Sequence, residues 1–461
     1  MQLSVFQSSP TVPPLPMNVF TDIACTACGC VCDDLRMTVA ENRLERIEPP
    51  CALATEWYRG INEATPSGTM IDGGDATFEE AVEHAAKFLR RANSPLIYGL
   101  SRSSTAGQRA AVALAEQLGA TIDTTASMCH GPSIMAFQSV GESTSSLGEI
   151  RNRADLVIFW GCNPAVSHPR HAERYSVFPR GQFVPRGRAD RTVVMIGDAR
   201  EVHDWRLDRN GSCPDIVIPV EPDRDFEAIT TLRTMLKGLP LPDTDLDQHQ
   251  TGALVEDLES LVERMRSCRC GVVFFGLGLT GTRLDPTEPR SGLGHLNVEA
   301  LLRLVAELNA VTRFYARRMR LQGGVSGADS VLCWQTGYPF SVNLARGYPR
   351  YNPSEFSADE MLSRGEVDAC VLIGTETLDW FSAPAVASLR RIPTIVIDYP
   401  HVSMPFTPTV LFRTAIYGVH CSGTAYRMDE VPIPLRSFLD TNFPTDEVVL
   451  RKLALAADAR V

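Results

Sequence analysis

The sequence predicts a multidomain α/β protein built on doubly wound parallel sheets. Short apolar runs alternate with segments of helical periodicity along most of its 461 residues, as parallel sheets covered by helices require. The chain is also longer than the roughly 250 to 300 residues at which a single hydrophobic core stops growing. We therefore expect two or three packed domains of this class.

The elements follow from local patterns. Residues 77–92 predict a helix, because Thr77 and Glu80 can form a capping box ahead of an apolar face. The run SPLIYGL (94–100) predicts a buried strand, and residues 104–120 predict the next helix. Further strands are predicted at 155–161, 192–198, 215–220, 271–278, 367–374 and 394–399. Helices are predicted between them at 225–236, 297–309 and 382–391.

These patterns suggest four segments. Residues 1–20 are expected to form a flexible N-terminal extension, and residues 21–70 a cysteine-rich segment. An α/β domain is predicted at 71–265 and a second at 266–461, the latter including a C-terminal segment.

Charge and hydropathy limit the partners of the chain. A net charge of −11 would repel a phosphate backbone, so we expect no nucleic acid. No run approaches the roughly 18 apolar residues of a membrane span, and the N-terminus lacks the basic start and apolar core of a signal peptide. The sequence therefore favours a cytoplasmic protein that does not bind membranes.

The stretch ACTACGCVCDDL (24–35) places Cys25, Cys28, Cys30 and Cys32 within eight positions. Disulfides are rare in the cytosol, and apart from Cys51 the other cysteines are scattered mostly singly. The cluster therefore favours a metal site over a disulfide knot.

Other candidate site residues lie in loops expected at the carboxyl ends of strands, where doubly wound sheets bind ligands. One loop (TTASMCHGPS) contains Cys129 and His130, and another reads WGCNPAVSHPRH. A third, FFGLGLTGTR, is glycine-rich but lacks the G-x-G-x-x-G spacing of a dinucleotide site. Two basic segments, 168–191 and 312–322, predict either solvated arginines or an anion-binding groove.

Several long strings together resemble the B subunit of formylmethanofuran dehydrogenase, a relative of the molybdopterin formate dehydrogenases. The resemblance runs from about residue 20 to about residue 440 and rests on ACTACGCVCDDL, SMCHGPS, WGCNPAVSHPRHAERYSVFPRG, FFGLGLT, LCWQTGYPFSVNLARGYPRYNP and SGTAYRMDEVPIPLR. It implies a molybdopterin-oxidoreductase-like fold with a molybdenum or tungsten bis-pterin site. In such enzymes that site interconverts carbon dioxide and formate and receives electrons from one 4Fe-4S cluster.

The resemblance also implies site residues. The 4Fe-4S ligands would be Cys25, Cys28, Cys32 and Cys51, with Cys30 a bystander. Four cysteines can also hold zinc, and a site that no longer holds metal is a further alternative. Cys129 would coordinate molybdenum or tungsten, and His130 would transfer protons. Without the resemblance, Cys129 is interpreted as a buried apolar cysteine.

Two departures from the family pattern favour one branch. IGDARE (196–201) stands where relatives hold the guanosine end of the pterin cofactor, and Leu296 precedes Asn297 where a basic residue is expected. These departures favour the B subunit of the formyltransferase/hydrolase complex of methylotrophic bacteria. That complex moves a formyl group from tetrahydromethanopterin to a methanofuran-type carrier and hydrolyses it to formate without electron transfer.

The resemblance implies the A, C and D subunits of such a complex as partners, with the hydrolase in the first and the formyltransferase in the last. The B subunit is then a redox-inactive scaffold and carrier-binding surface, with the bis-pterin absent. An active pterin-dependent dehydrogenase and a stand-alone zinc protein are the alternatives.

The carrier has a glutamate-rich tail, which arginines can bind. The first candidates are Arg170, Arg174, Arg180, Arg186, Arg188 and Arg191. The second group is Arg313, Arg317, Arg318 and Arg320. Salt bridges between subunits are the alternative interpretation of both groups.

Overall fold

The computed structural model describes residues 17–63, 68–241, 251–281 and 294–458. The strands in these ranges are β1 (Met17–Ile23), β2 (Leu35–Ala40), β3 (Arg43–Glu48), β4 (Thr69–Ile71), β5 (Gly74–Asp75), β6 (Pro95–Gly99), β7 (Thr121–Thr124), β8 (Leu156–Trp160), β9 (Thr192–Asp198), β10 (Ile216–Val220), β11 (Cys270–Phe275), β12 (Arg313–Arg318), β13 (Val342–Asn343), β14 (Arg350–Tyr351), β15 (Ala369–Ile373), β16 (Thr394–Asp398), β17 (Val410–Arg413), β18 (Gly423–Tyr426) and β19 (Pro432–Leu435).

The α-helices in the same ranges are α1 (Ala52–Arg59), α2 (Phe78–Leu89), α3 (Thr105–Leu118), α4 (Gly131–Val140), α5 (Leu147–Arg153), α6 (Pro164–Ser167), α7 (Asp225–Leu236), α8 (Val255–Ser267), α9 (Gly294–Leu308), α10 (Val325–Thr336), α11 (Pro353–Phe356), α12 (Ala358–Ser363), α13 (Ala383–Leu389) and α14 (Asp446–Asp458). The predicted elements are all present among them, with ends that shift by a few residues. The capping box of α2 forms as predicted, because Thr77 Oγ1 accepts from Glu80 N at 3.2 Å and Glu80 Oε2 accepts from Thr77 N at 3.0 Å.

One sheet has five parallel strands in the order β10-β9-β8-β11-β12. From β8 the chain adds β9 and β10 towards one edge of the sheet, and it then adds β11 and β12 towards the other edge. The strand order therefore reverses between β8 and β11. Alternate residues of β8 face opposite sides, as a strand requires. Ile158 joins the core formed with helices α7, α8 and α9, whereas Phe159 joins a core that contains Cys28, Cys30 and Cys32.

The second large sheet has nine strands in the order β14-β13-β7-β6-β15-β16-β17-β4-β5. The five central strands are parallel, and the outer pairs on both edges are antiparallel. Its strand order reverses between β6 and β15. The fold is thus the doubly wound α/β assembly that the sequence predicts, with a topological switch point in each large sheet.

The predicted division at residues 265/266 does not match these sheets. Residues 69–124 share one sheet with residues 342–413, and residues 156–220 share the other with residues 270–318. A break at 265 would cut through both sheets. The apolar pattern of a strand indicates that the strand is buried, but not which other strands it pairs with. The sequence therefore could not show that the chain leaves a sheet and later returns to it.

The N-terminal part differs from the prediction too. Strands β1, β2 and β3 form a three-stranded antiparallel sheet, so residues 17–20 of the expected flexible extension belong to a strand. Residues 1–16 of that extension lie outside the described residues. Within the ranges given above, the structure contains no helix that is both long and apolar enough to span a bilayer.

Candidate functional site

The four predicted cluster ligands border one narrow cavity. Cys25, Cys28 and Cys32 come from the loop between β1 and β2, and Cys51 comes from the start of α1. The loop is closed by backbone hydrogen bonds from Cys25 N to Cys32 O at 2.8 Å and from Val31 N to Cys28 O at 3.1 Å. The thiol of Cys51 caps α1 by accepting from Ala54 N at 3.4 Å. The fifth thiol, Cys30, borders the same cavity.

Burial gives these thiols different acidities. It raises the pKa of Cys25 well above the usual value and also raises the pKa of Cys51. The pKa of Cys32 falls to about 7, because Cys30 hydrogen-bonds to it and its burial is opposed by the charges of Arg174 and Arg170. One thiol of the group therefore ionises near neutrality, which favours the thiolate form that metals bind.

Two arginines from the segment after β8 hold the cysteine loop. Arg170 donates to both carboxylate oxygens of Asp34, at 2.8 and 2.7 Å. Arg174 donates to Asp33 at 2.6 Å and also pairs with Asp34. Because Asp33 and Asp34 follow Cys32 directly, these three ion pairs tie the loop to the segment that follows β8.

The site loops converge on the segment 318–321 at the end of β12. His130 Nε2 lies 3.1 Å from Met319 O, and His168 Nε2 lies 2.7 Å from Arg320 O. Gly29 N donates to Leu321 O at 2.9 Å. A Cβ on Gly29 would overlap the carbonyl of Arg320, so glycine is required for this close approach. Three of the strings quoted above thus meet at one backbone segment.

Cys129 and His130 are fully buried. Burial raises the pKa of Cys129 to about 11 and lowers that of His130 well below its usual value, helped in His130 by the positive charge of Arg320. At neutral pH the pair is therefore a protonated thiol and a neutral imidazole. The imidazole is fixed by Met319 O and by Ser133 Oγ at 3.2 Å.

The crevice at the switch point of the five-stranded sheet is an open cavity of about 510 Å³. It lies beyond the carboxyl ends of β8 to β11 and includes Asn297 of α9. Carboxylates dominate its charged residues, which are Asp198, Glu201, Glu221, Asp223, Asp225 and Arg200. Arg200 pairs with Asp198 at 2.5 Å. The IGDARE segment contributes Gly197 beneath the ring of Trp205, where a Cβ would overlap the ring.

The corresponding crevice of the nine-stranded sheet, between β6 and β15, contains a buried charged group. Arg102 lies 3.5 Å from Glu376 and 3.3 Å from Asp398. The side chains of Glu376 and Asp398 are only 7% and 0% exposed, and Ser101 also hydrogen-bonds to Glu376. Sequence analysis missed these residues because 296 positions separate Arg102 from Asp398. A polar run after each strand is the one signal that could have indicated them.

The predicted carrier-binding arginines do not form one free basic surface. Arg186 pairs with Asp190 at 2.6 Å and Arg188 with Asp215 at 2.7 Å. Arg191 is buried and donates to four backbone carbonyls, those of Ala154, Val177, Pro179 and Arg151. Arg170 and Arg174 hold the cysteine loop, which leaves Arg180 as the exposed member without an acidic partner among the described residues.

The second group is mostly buried as well. Arg317 and Arg318 pair with Glu430 at 2.6 and 3.2 Å, and Arg320 pairs with Asp329 at 2.7 Å. Arg313 alone is exposed. The basic stretch 312–322 is largely strand β12, and its buried cations pair with carboxylates of the same chain.

Comparison with known proteins identifies the family. The chain is 39% identical over 436 residues to the B subunit of tungsten-containing formylmethanofuran dehydrogenase 2 of Methanocaldococcus jannaschii, covering 92% of this chain and 94% of the relative. The chain belongs to the family of formylmethanofuran dehydrogenase B subunits. The Methanococcus maripaludis protein of the same description is 35% identical over 430 residues, with 92% and 94% covered. No protein-family model matches the chain.

A second branch of relatives also matches this member of the formylmethanofuran dehydrogenase family. The B subunit of the formyltransferase/hydrolase complex Fhc of Methylorubrum extorquens is 27% identical over 312 residues, which is 66% of this chain and 74% of the relative. A chain of the crystal structure of that complex (FhcABCD) with methylofuran superposes with a TM-score of 0.65 at 23% identity, covering 84% of this chain and 98% of the other. This likeness establishes the shared fold.

Proposed function

We propose that the chain is a non-redox subunit of a complex that transfers a formyl group to a methanofuran-type carrier and hydrolyses it to formate. The observation that carries this proposal is the chemistry of the two crevices. A pterin dinucleotide brings a pyrophosphate, which needs cations or free backbone N–H groups. One crevice instead presents five carboxylates, and at the other Arg102 is already paired with Glu376 and Asp398.

The residues present therefore do not fit two pterin dinucleotides. The exposed Leu296 beside Asn297 agrees with this. We assign Cys129 and His130 a structural role, in which His130 fixes the loop before α4 to segment 318–321.

We further propose that Cys25, Cys28, Cys32 and Cys51 hold a 4Fe-4S cluster. Four thiols around one cavity are the donor set that such a cluster requires. Among the residues that the structure describes, no three His, Cys, Asp or Glu side chains are placed to hold one metal ion. A single zinc ion would need its ligands at about 2.3 Å, whereas a cluster stands between its thiolates and keeps them further apart. The cluster would supply a fixed cross-link between β1, β2 and α1.

A tungsten-dependent dehydrogenase is the second candidate. The two tungsten-containing relatives match at 39% and 35% identity, above the 27% of the Fhc protein, and the four cysteines are intact. This candidate requires a metal at Cys129.

Metal analysis of the complex purified without oxygen tests the proposal. We expect iron and acid-labile sulfide in equal amounts, no tungsten or molybdenum, and formate release from the formylated carrier without an electron acceptor. Stoichiometric tungsten that is lost on Cys129→Ser would replace the proposal with the dehydrogenase. Cys51→Ala should abolish iron binding, whereas Cys30→Ala, its matched control, should retain it.

A further inference from the structure

We propose that Arg170 is the charge partner of the cysteine-bound cluster and raises its reduction potential. This inference rests on the 4Fe-4S assignment above. Arg170 comes from the loop after β8, not from the cysteine segment, yet it borders the same cavity as the four thiols. It is the basic residue among the side chains that line that cavity.

The guanidinium of Arg170 is buried, whereas the carboxylates that pair with it are exposed to solvent. The side chain of Arg170 is 4% exposed, whereas those of its partners Asp34 and Glu173 are 42% and 41% exposed. Water screens the exposed carboxylates, so their charge falls off quickly with distance. The buried guanidinium is screened less, and its field therefore dominates in the cavity.

The guanidinium is also held in place. It makes two hydrogen bonds to Asp34, at 2.8 and 2.7 Å, and two to Glu173 Oε1, at 3.1 and 3.0 Å. A fork fixed by two carboxylates cannot swing away when the charge of the cavity changes. Arg174, which is 16% exposed and bound to Asp33, adds a second cation that does not itself line the cavity.

The positive charge of Arg170 acts on the negative charge of the cluster. Four thiolates give a 4Fe-4S cluster a net negative charge, and one-electron reduction adds another. A fixed cation stabilises the reduced form more than the oxidised one, and net charge is among the factors that set such potentials. Arg170 thus favours the reduced cluster and helps the cavity retain it.

Potentiometric titration of the anaerobic complex, with dithionite as electron donor and electron paramagnetic resonance as readout, tests this role. Arg170→Gln should shift the midpoint potential to a more negative value, and Arg174→Gln, which removes the second cation near Cys32, should shift it in the same direction. Arg170→Lys, which keeps the charge, should stay near wild type. Arg233→Gln, which removes a distant ion pair to Glu307, should change nothing.

Iron content separates the outcomes. If Arg170→Gln loses iron and Arg170→Lys keeps it, the need for the charge is supported. Full iron with an unchanged midpoint in Arg170→Gln overturns the inference, and so does equal loss of iron in both variants, which would indicate a purely structural clamp. Wild-type complex without iron would overturn the cluster assignment itself, which is a different failure.

Discussion

Arg191 is a buried cation whose partners are backbone carbonyls. It donates to Ala154 O at 3.1 Å, Val177 O at 3.1 Å, Pro179 O at 2.6 Å and Arg151 O at 2.8 Å. Burial lowers its pKa to about 10, which still leaves it charged at neutral pH. The side chain therefore fastens the loop after Ser176 to the end of α5.

Replacing Arg191 should affect stability, not carrier binding. Arg191→Gln leaves several buried carbonyls without a donor, which costs about 1 to 3 kcal/mol for an unsatisfied group. We expect a lower midpoint of urea unfolding, with carrier retention per folded complex unchanged. Arg180→Gln, which removes an exposed cation from the same segment, is the control and should leave the midpoint in place. Normal stability with lost carrier retention would restore the carrier interpretation of Arg191.

At the scale of elements, the end of β12 is the meeting point of the site. Segment 318–321 receives the cysteine loop through Gly29, the Cys129 loop through His130, and the loop after β8 through His168. The strand itself is secured by the ion pairs from Arg317 and Arg318 to Glu430. Docking of the cysteine loop thus depends on an element that lies far along the chain.

Gly29→Ala tests this docking. The added Cβ would overlap the carbonyl of Arg320, so the loop must move away from segment 318–321. We expect faster amide hydrogen exchange across residues 24–35 and lower iron content, because three cluster ligands belong to that loop. Gly148→Ala in α5 is the matched control, since its nearest neighbour would be Ser146 Oγ at 3.7 Å. Unchanged exchange in Gly29→Ala would show that the close approach is not required.

At the scale of the whole molecule, the acidic cavity makes stability depend on pH. Burial raises the pKa of Asp225 to about 6, and the neighbouring carboxylates Asp223, Asp198 and Glu227 add to this against the hydrogen bond from Trp160. A carboxyl whose pKa is raised on folding stabilises the fold while it is protonated. Its contribution is complete below the unfolded pKa of about 3.9 and is lost as the pH rises through about 6.

Asp225→Asn should remove this dependence. The amide oxygen can still accept from Trp160 Nε1, which donates to Asp225 at 2.7 Å, while the charge is gone. We expect the variant to be more stable than wild type at about pH 7, by on the order of 2 kcal/mol, and the two to converge towards about pH 4. Urea unfolding across that range measures it. If the unfolding free energies of wild type and variant change by the same amount between pH 4 and pH 6, the assignment is contradicted.

The sequence alone determined the local elements, the fold class and the family. A continuous apolar run marks a buried strand such as Leu156–Trp160, because burial on both faces requires every neighbouring residue to be apolar. The C-x2-C-x3-C spacing likewise places three thiols on one loop, since a few residues cannot carry them far apart. These features depend on short stretches of chain, and short stretches are what a sequence displays directly.

Only the tertiary structure decided which segments share a sheet and what the charged residues do. The boundary at 265 was wrong because parallel strands pair across long crossovers that local patterns do not encode. The basic segments were predicted as possible anion-binding surfaces. In the structure, Arg317 forms an ion pair with Glu430 and Arg170 with Asp34, and more than 100 residues of chain separate the partners in each pair. The sequence shows which residues are charged, but the packing of the whole chain determines which residue each of them pairs with.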